Sequence, residues 1–195
     1  MDNLRSSHES QPWQAHQITN GFRIEDVWLL PIHINSATPI RNIQDTFVEA
    51  ISQIGTQGFA GLLFQFRNWL GRVFGWEDPN ITNQKLPPGV LKKRFAEKTK
   101  TPVDELPKGG FSHFDLVYQL ENEVMLEIEN KTVQAAIHLA KVVDDQAASA
   151  RMAIYVKPNG LFGQVYMLVI KPFRHWIVYP ALLNMLANQW NQKYT

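Results

Sequence analysis

One carboxylate falls within an otherwise apolar strand pattern and is the first candidate for a chemical role. Over residues 22–34 apolar side chains recur at every second position, and Asp26 belongs to the same series. A carboxylate is costly to remove from water, so we expect Asp26 either to be paired or to line a wet pocket, unless a bulge or frayed strand end turns it outward. Tyr118 shares the inward direction on a later strand. Together the two side chains could supply the placed polar groups of a mostly apolar site.

Histidines provide a second set of acid–base candidates. His113 and Asp115 are two residues apart on one predicted strand face and could form an imidazole–carboxylate pair, or they could be surface residues together with His138. His175 lies beside the apolar stripe of the last predicted helix, where it could face a cavity or bond to the backbone at the boundary. None of the six His is spaced as in HExxH, and the chain has no Cys, so the sequence predicts no metal site and no Cys nucleophile.

Two further patterns could be taken for phosphate-binding elements. A glycine series that begins at Gly55 follows a helical pattern rather than a strand, and neither GxGxxG nor GxxxxGK[ST] occurs, so we expect an interhelical turn and no cofactor. The basic residues 92–94, and Lys171 with Arg174 beside aromatic residues, could contact phosphate or lipid headgroups or form solvated faces. Because 19 Lys and Arg are balanced by 18 Asp and Glu, we expect no nucleic-acid partner.

The hydrophobic periodicities predict an α+β fold in the order strand, two helices, antiparallel meander and long helix. The first of the two helices follows Thr38-Pro39 and ends near Gly55, and the second covers residues 58–74. A long, proline-containing crossing follows, with at most one short helix around residues 91–98.

The pattern in the second half of the chain predicts a sheet and a helix that packs on one of its faces. Four runs between residues 114 and 156 alternate at period two, which predicts antiparallel strands with one apolar face. An apolar stripe after Asn159 predicts a long C-terminal helix that covers this face and is kinked near Pro172 and Pro180. The opposite face is expected to be solvated, because it carries His113, Asp115, Gln119, Glu127, Glu129, Gln134, His138, Arg151 and Lys157.

Length and composition fit one folded domain. With 195 residues, 45% of them hydrophobic, we expect a single domain over residues 21–195 after a loose tail over residues 1–20. The tail mixes acidic, basic and amide side chains where a secretory signal needs an apolar run, so we expect a cytoplasmic protein. The apolar stretch 161–187 is interrupted too often for a spanning helix, and we expect no integral membrane segment.

Several segments carry a resemblance to known domains: Arg67-Asn68-Trp69-Leu70 to Phe74-Gly75, Ser112-His113-Phe114-Asp115, Asn130-Lys131-Thr132-Val133 with Ala136-Ile137-His138-Leu139, and Gly160-Leu161-Phe162-Gly163-Gln164-Val165-Tyr166 running into Lys171-Pro172-Phe173-Arg174-His175. They resemble a bacterial family of domains of unknown function that often follows an NAD-binding short-chain-dehydrogenase-like domain. The element order resembles the helix-grip fold of START and birch-pollen-allergen-like domains, the SRPBCC superfamily. The resemblance implies a curved antiparallel sheet wrapped on a long C-terminal helix, with a two-helix insertion after the first strand and a small-molecule cavity. It implies no catalytic residue, and without a dinucleotide domain in this sequence we expect no inherited redox role.

We therefore expect a non-enzymatic or weakly enzymatic binder of a small apolar or amphipathic molecule held between the sheet and the last helix. Asp26 and Tyr118 would orient the ligand. Apolar walls would come from Trp28, Phe66, Leu116, Met152, Ile154, Val169 and Trp176. Two alternatives stay open: a cyclase- or hydrolase-type enzyme with Asp26 or His113 as the acid–base group, and a peripheral membrane or protein-interaction module using the aromatic and basic end of the last helix.

Overall fold

The computed structural model of the chain describes residues 2–54, 89–111, 114–129, 133–144 and 147–194. Several sequence expectations lie outside these ranges. They are the second predicted helix over residues 58–74 with its Phe66, the glycine series from Gly55, and His113.

Strands of alternating sequence form one antiparallel sheet, which confirms the predicted meander. The first strand pairs with the last, so that the order across the sheet is β1-β6-β5-β4-β3-β2. Five strands hold six residues or more, and β2 is a two-residue edge strand. The bounds are β1 Arg23–Leu29, β2 Gly110–Phe111, β3 Phe114–Gln119, β4 Glu123–Glu129, β5 Val133–Asp144 and β6 Ala147–Pro158.

Six α-helices are present in the described part of the chain. They are α1 Asp2–Glu9, α2 Gln14–Ile18, α3 Ile40–Ile54, α4 Val90–Thr99, α5 Gly160–Phe173 and α6 Tyr179–Tyr194. A π-helical turn, Arg174–Val178, joins α5 to α6 and lies between the two prolines at which a kink is predicted. Proline lacks a backbone N–H and disrupts regular helical hydrogen bonding, so an irregular turn is expected there. None of these helices is long and apolar enough to cross a membrane.

One face of the sheet, here called face one, packs against α3 and the C-terminal helices. Its side chains are aliphatic or small along the strands, as the period-two pattern predicts. Met167 of α5 and Leu182, Leu186 and Trp190 of α6 are buried against them. The sheet contributes Leu116, Val124, Leu126, Val133, Ile137, Leu139, Ala150, Met152, Ile154 and Val156.

The opposite face, here called face two, differs from the expected solvated surface because α1, α2 and α4 cover it. Glu127, His138 and Arg151 are all buried there, although their residue types are those of a wet sheet face. The segment expected to be a loose tail supplies α1 and α2, and its Trp13, Ala15 and Ile18 join the second apolar cluster. Short helices with few apolar residues leave little periodicity to detect in the sequence.

Two β-bulges change which face the side chains point to. The pairing of β1 with β6 shifts between Ile24 and Asp26, and that of β3 with β4 shifts between Leu116 and Tyr118. An extra residue reverses the alternation of a strand. As a result Asp26 lies on face one, whereas Tyr118 belongs to the cluster on face two. The expectation that Asp26 and Tyr118 share one direction is therefore wrong.

Helix α4 begins against a buried carboxylate, and Gly89 makes the approach possible. The backbone N–H groups of Leu91 and Lys92 donate to Glu127 at 2.9 and 3.0 Å. A Cβ placed on Gly89 would overlap the carboxylate of Glu127. Since the φ angle of Gly89 is −64°, space rather than backbone strain requires glycine here.

Replacing Gly89 by Ala should therefore lower the free energy of unfolding by about 1–3 kcal/mol, because Glu127 must leave the helix start while it remains buried. Urea denaturation measures this loss. Gly109→Ala is the matched control, since its added Cβ meets only Leu116 Cδ2 at an ordinary 3.8 Å. Equal stability of both variants would show that Glu127 can move without cost.

Candidate functional site

A half-open groove lies between β1 and the junction of α5 with the π-helical turn. Its volume is about 480 Å³. Aromatic, aliphatic and charged side chains share its wall, which is the mixture typical of sites for small organic molecules. The lining residues are Arg5, Glu25, Asp26, Val27, Trp28, Lys171, Pro172, His175 and Trp176.

The bulge in β1 aims two consecutive carboxylates at one cation. In a regular strand Glu25 and Asp26 would point to opposite faces. Here Arg174 Nη2 lies 3.2 Å from Glu25 Oε1 and 3.2 Å from Asp26 Oδ2. All three side chains are largely removed from water, with exposed fractions of 9% to 14%. Asp26 is therefore paired, which is one of the two outcomes expected for a carboxylate on this face.

Tyr179 does not line the groove, but it supports the groove carboxylate Asp26. Its hydroxyl donates to Asp26 Oδ2 at 3.1 Å, and the Arg174 guanidinium stands 5.7 Å from the centre of its ring. Burial, together with the charge of Asp26, raises the pKa of the Tyr179 hydroxyl despite the opposing charge of Arg174. The hydroxyl therefore keeps its proton and remains a donor. Both described hydrogen bonds to Asp26 use Oδ2, which leaves Oδ1 for a ligand.

The π-helical turn places three consecutive side chains in three different directions. Arg174 points to the carboxylates, and the His175 ring stacks at a tilt on Trp28 with centroids 5.1 Å apart. Trp176 points outward and is 76% exposed. The wide turn thus provides an imidazole and an indole to the groove, and its cation holds the groove carboxylate Asp26. The rings of Trp28 and Tyr179 have their centroids 5.2 Å apart, which links the aromatic wall to the hydroxyl that bonds to Asp26.

Three of the predicted site residues meet in this groove, namely Asp26, Trp28 and Trp176. Leu116, Met152 and Ile154 lie in the packed cluster of face one, and Val169 is exposed on α5. Tyr118 lies on the other face, and Phe66 lies outside the described residues. Sequence reasoning missed Glu25 and Tyr179, and it treated Arg174 as a headgroup contact. Glu25 and Asp26 pair with Arg174, which is about 150 residues away in the sequence, so no short sequence motif indicates the contact.

Two of the basic residues 92–94, Lys92 and Arg94, have structural contacts, whereas Lys93 is exposed. Lys92 is buried, and its Nζ lies 3.0 and 3.1 Å from the two oxygens of Asp115. Arg94 donates to the carbonyls of Ile18 and Asn20 at 2.8 and 2.7 Å and so fixes the end of α2. Lys92 thus provides the charge partner of Asp115.

A second polar cluster lies on face two, centred on Glu123. Its carboxylate accepts from Tyr118 Oη at 2.8 Å, His138 Nε2 at 2.9 Å and the backbone N–H of Gln14 at 2.8 Å. Burial raises the pKa of Glu123, but the hydrogen bonds from His138, Gln14 and Tyr118 outweigh it and bring the pKa below its ordinary value. Glu123 therefore holds the start of α2 on the sheet.

Helix α1 packs over this cluster and adds His8 to it. His8 is fully buried, with Nε2 3.1 Å from Tyr155 Oη, and the same hydroxyl lies 3.3 Å from His16 Nδ1. Burial, reinforced by the nearby His138, His16 and Arg151, lowers the pKa of His8 from 6.5 to about 3. Burial likewise lowers the pKa of His138. Both imidazoles are thus neutral near pH 7 and keep α1 and α2 against the sheet.

The two clusters differ in access. The cluster around Glu123 is enclosed by α1 and α2, whereas the groove beside Asp26 opens to solvent at Trp176. Within the described ranges no group of three or more His, Cys, Asp or Glu side chains could hold a metal ion. The groove is therefore the candidate functional site, and the chemistry it offers is hydrogen bonding, charge pairing and aromatic contact.

Comparison with known proteins gives one match. The model of the family described as "Protein of unknown function (DUF2867)" matches residues 18–181, which is most of the chain and includes every groove residue except Arg5. This match agrees with the resemblance to a domain of unknown function. No curated protein and no solved structure matches the chain.

Removing the shared cation of the groove should destabilise the fold. Arg174→Met removes the cation from the poorly solvated Asp26 and leaves Glu25 with Arg23, and we expect the free energy of unfolding to fall by about 2–3 kcal/mol. Urea denaturation of Lys171→Met is the control, because that exposed cation should change stability by about 0.5 kcal/mol or less. A loss no larger than that of the control would contradict the pairing.

Acid should weaken the fold through the histidines of face two. The folded-state pKa values of His8 and His138 lie below 6.5, so the unfolded chain binds more protons as the pH falls. Stability is then complete above about pH 6.5 and declines below it, by up to about 1.4 kcal/mol per pH unit for each histidine, and the loss due to His8 continues to about pH 3. Urea titrations at several pH values measure this slope.

The variant His8→Gln should flatten the acid slope by about one proton. His33→Gln serves as the control, because His33 is exposed and outside the cluster. If His8→Gln and the wild-type chain lose stability in parallel between about pH 6.5 and pH 5, the assignment to His8 is wrong.

Proposed function

The chain belongs to the DUF2867 family of proteins of unknown function, and we propose that it binds a small amphipathic molecule in the groove between β1 and the C-terminal helix. The observation that carries the proposal is Asp26, which lines a half-open, aromatic-lined groove and is held in place by hydrogen bonds from Arg174 and Tyr179 outside the lining. A volume of about 480 Å³ falls within the range typical of small-molecule sites.

The apolar part of such a ligand has a defined place. Trp28 and His175 form one aromatic wall, and Trp176 with Pro172 forms the rim. Indole faces favour flat or aliphatic groups, and most of the binding free energy would come from the apolar area covered there. Trp176 is 76% exposed when the groove is open, so it has more area to lose to a ligand than Trp28 has.

The polar part of the ligand is matched by groups that lack full partners. Trp28 lines the groove, and its Nε1 is a buried donor without an acceptor among the described residues. Buried donors are normally satisfied, so a ligand oxygen or a bridging water is expected beside it. Asp26 Oδ1 can in turn accept from a hydroxyl or amine. A ligand with a donor and an acceptor next to an apolar body would use all of these groups.

A third feature is the charge at the rim. Lys171 is exposed at the groove, and no ion pair with it is found in the described ranges. Glu25 and Asp26 are instead compensated by Arg174. The rim is therefore cationic, which favours ligands with an anionic group.

The sheet order supports the same region of the fold. A first strand that pairs with the last strand, followed by a C-terminal helix across face one, is the arrangement that a helix-grip domain would have. The resemblance noted in the sequence implies a cavity beside that helix, and we assign the groove to this role. The enzyme alternative has less support, because Asp26 is engaged by Arg174 and Tyr179 and His113 lies outside the described residues.

The fluorescent probe 1-anilinonaphthalene-8-sulfonate, an aromatic anion, tests the groove. We expect saturable binding near one probe per chain, and Trp176→Ala should weaken it about tenfold, because roughly 1.4 kcal/mol of apolar contact is lost. Leu161→Ala is the matched control. Leu161 is exposed on the same helical segment and does not line the groove.

Equal affinity of Trp176→Ala and the wild-type chain, or a larger loss in Leu161→Ala, would contradict the proposed site. Native mass spectrometry of the purified protein provides a second measurement. A co-purifying small molecule that is retained by Leu161→Ala and lost from Trp176→Ala would identify the ligand class directly. A molecule retained by both variants would place the binding elsewhere.

A further inference from the structure

Helix α5 is apolar on its outer side as well as on its buried side. Gly163 and Met167 face the protein. The opposite side, here called the outer stripe, consists of Leu161, Val165, Leu168, Val169, Pro172 and Trp176. These residues recur at spacings of three and four, so at about 100° per residue they fall within one side of the helix.

The outer stripe is exposed to an unusual degree. Leu161 is 81% exposed, Leu168 is 68% exposed and Trp176 is 76% exposed. A helix that is apolar on all sides is normally buried, and a contiguous exposed apolar patch marks an interaction surface. No described element covers the stripe, so its partner must present an apolar surface of its own.

The charges around the stripe define that partner further. From Ala147 to the end of the chain there is no Asp or Glu, whereas Arg151, Lys157, Lys171, Arg174 and Lys193 are basic. Lys171 is exposed on the flank of the stripe, and the acidic residues that line the groove together with it, Glu25 and Asp26, are paired with Arg174. The surface is therefore apolar in the centre and cationic at its edge.

We propose that the outer stripe docks α5 in the plane of an anionic lipid bilayer. In such a contact Leu161, Val165 and Leu168 enter the boundary between headgroups and acyl chains, and Trp176 lies at headgroup level. Lys171 extends to the anionic headgroups, which attract basic side chains close to the membrane surface. The binding is peripheral, and it goes beyond the ligand proposed for the groove.

A second copy of the chain fits the same stripe less well. A two-fold contact would set two identical acid-free helices against each other and bring the two Lys171 side chains onto surfaces without an opposing charge. An anionic bilayer supplies both the apolar interior and the negative charge. Charge complementarity therefore favours the lipid surface.

Co-sedimentation with lipid vesicles tests the proposal. Vesicles of phosphatidylcholine with about one-third phosphatidylserine should pull down the wild-type chain, and added salt should weaken the binding. The double variant Leu161→Glu/Leu168→Glu should lose at least about tenfold in the bound fraction. Val143→Glu is the control, because Val143 is a 48% exposed apolar residue on β5, outside α5. Its binding should equal that of the wild-type chain.

Wild-type protein that stays in the supernatant, or a double variant that sediments as well as the control, would overturn the proposal. A concentration-dependent dimer in sedimentation equilibrium that the double variant abolishes, without vesicle binding, would assign the stripe to a second copy. Neither Leu161 nor Leu168 lines the groove. Binding of the naphthalene sulfonate probe by the double variant thus reports on the groove alone, and the two proposals fail separately.

Discussion

Four carboxylates of the sheet are removed from water, and the partners that they require determine where the helices lie. Glu123 receives the first N–H groups of α2, and Glu127 receives those of α4. Glu25 and Asp26 share Arg174 at the start of the π-helical turn. An unpaired buried carboxylate would cost several kcal/mol, so α2, α4 and the π-helical turn are each held by a charge as well as by apolar contacts. The apolar clusters stabilise the two faces, but apolar contact is not directional. The hydrogen bonds and ion pairs of the carboxylates supply the directional contacts.

Buried carboxylates have different roles on the two faces of the sheet because their access to solvent differs. On face two the carboxylate of Glu123 is surrounded by donors and enclosed by two short helices, so the cluster contributes to stability. In β1 the Glu25 carboxylate is paired with Arg23 and Arg174, and Asp26 with Arg174 and Tyr179, while the groove leaves Trp28 Nε1 and Asp26 Oδ1 available. A polar cluster becomes a binding site when its hydrogen-bonding capacity is incompletely used and solvent can reach it.

Hydrophobic periodicity was sufficient to predict the order of the main elements. The directions of single side chains and the helices on face two were not predicted, because of β-bulges and of polar strand residues that bind helix starts. The alternating runs predicted β3 to β6, and the apolar stripe predicted the C-terminal helix, because both patterns are imposed by burial over many residues. The expectation for Asp26 followed from desolvation and was partly met, since the side chain is paired. Bulges insert a residue without altering composition, so the face of Tyr118 could not be read from spacing. A polar strand residue that faces water and one that binds the start of a helix occupy the same positions in an alternating pattern. The sequence therefore did not predict that α1, α2 and α4 cover face two.

Arg5 and His8 are three residues apart on the short helix α1. Arg5 lines the groove, whereas His8 is buried in the cluster around Glu123. For the molecule proposed to bind in the groove, protonation and binding would therefore be linked. Contact of that molecule with Arg5 would stabilise α1 in its place on the sheet and make His8 harder to protonate. Acid that protonates His8 would weaken binding of the molecule by the same factor, because coupling between two binding events is reciprocal. The proposed site would thus respond to proton concentration through helix α1, without contact between the molecule and a histidine of the Glu123 cluster.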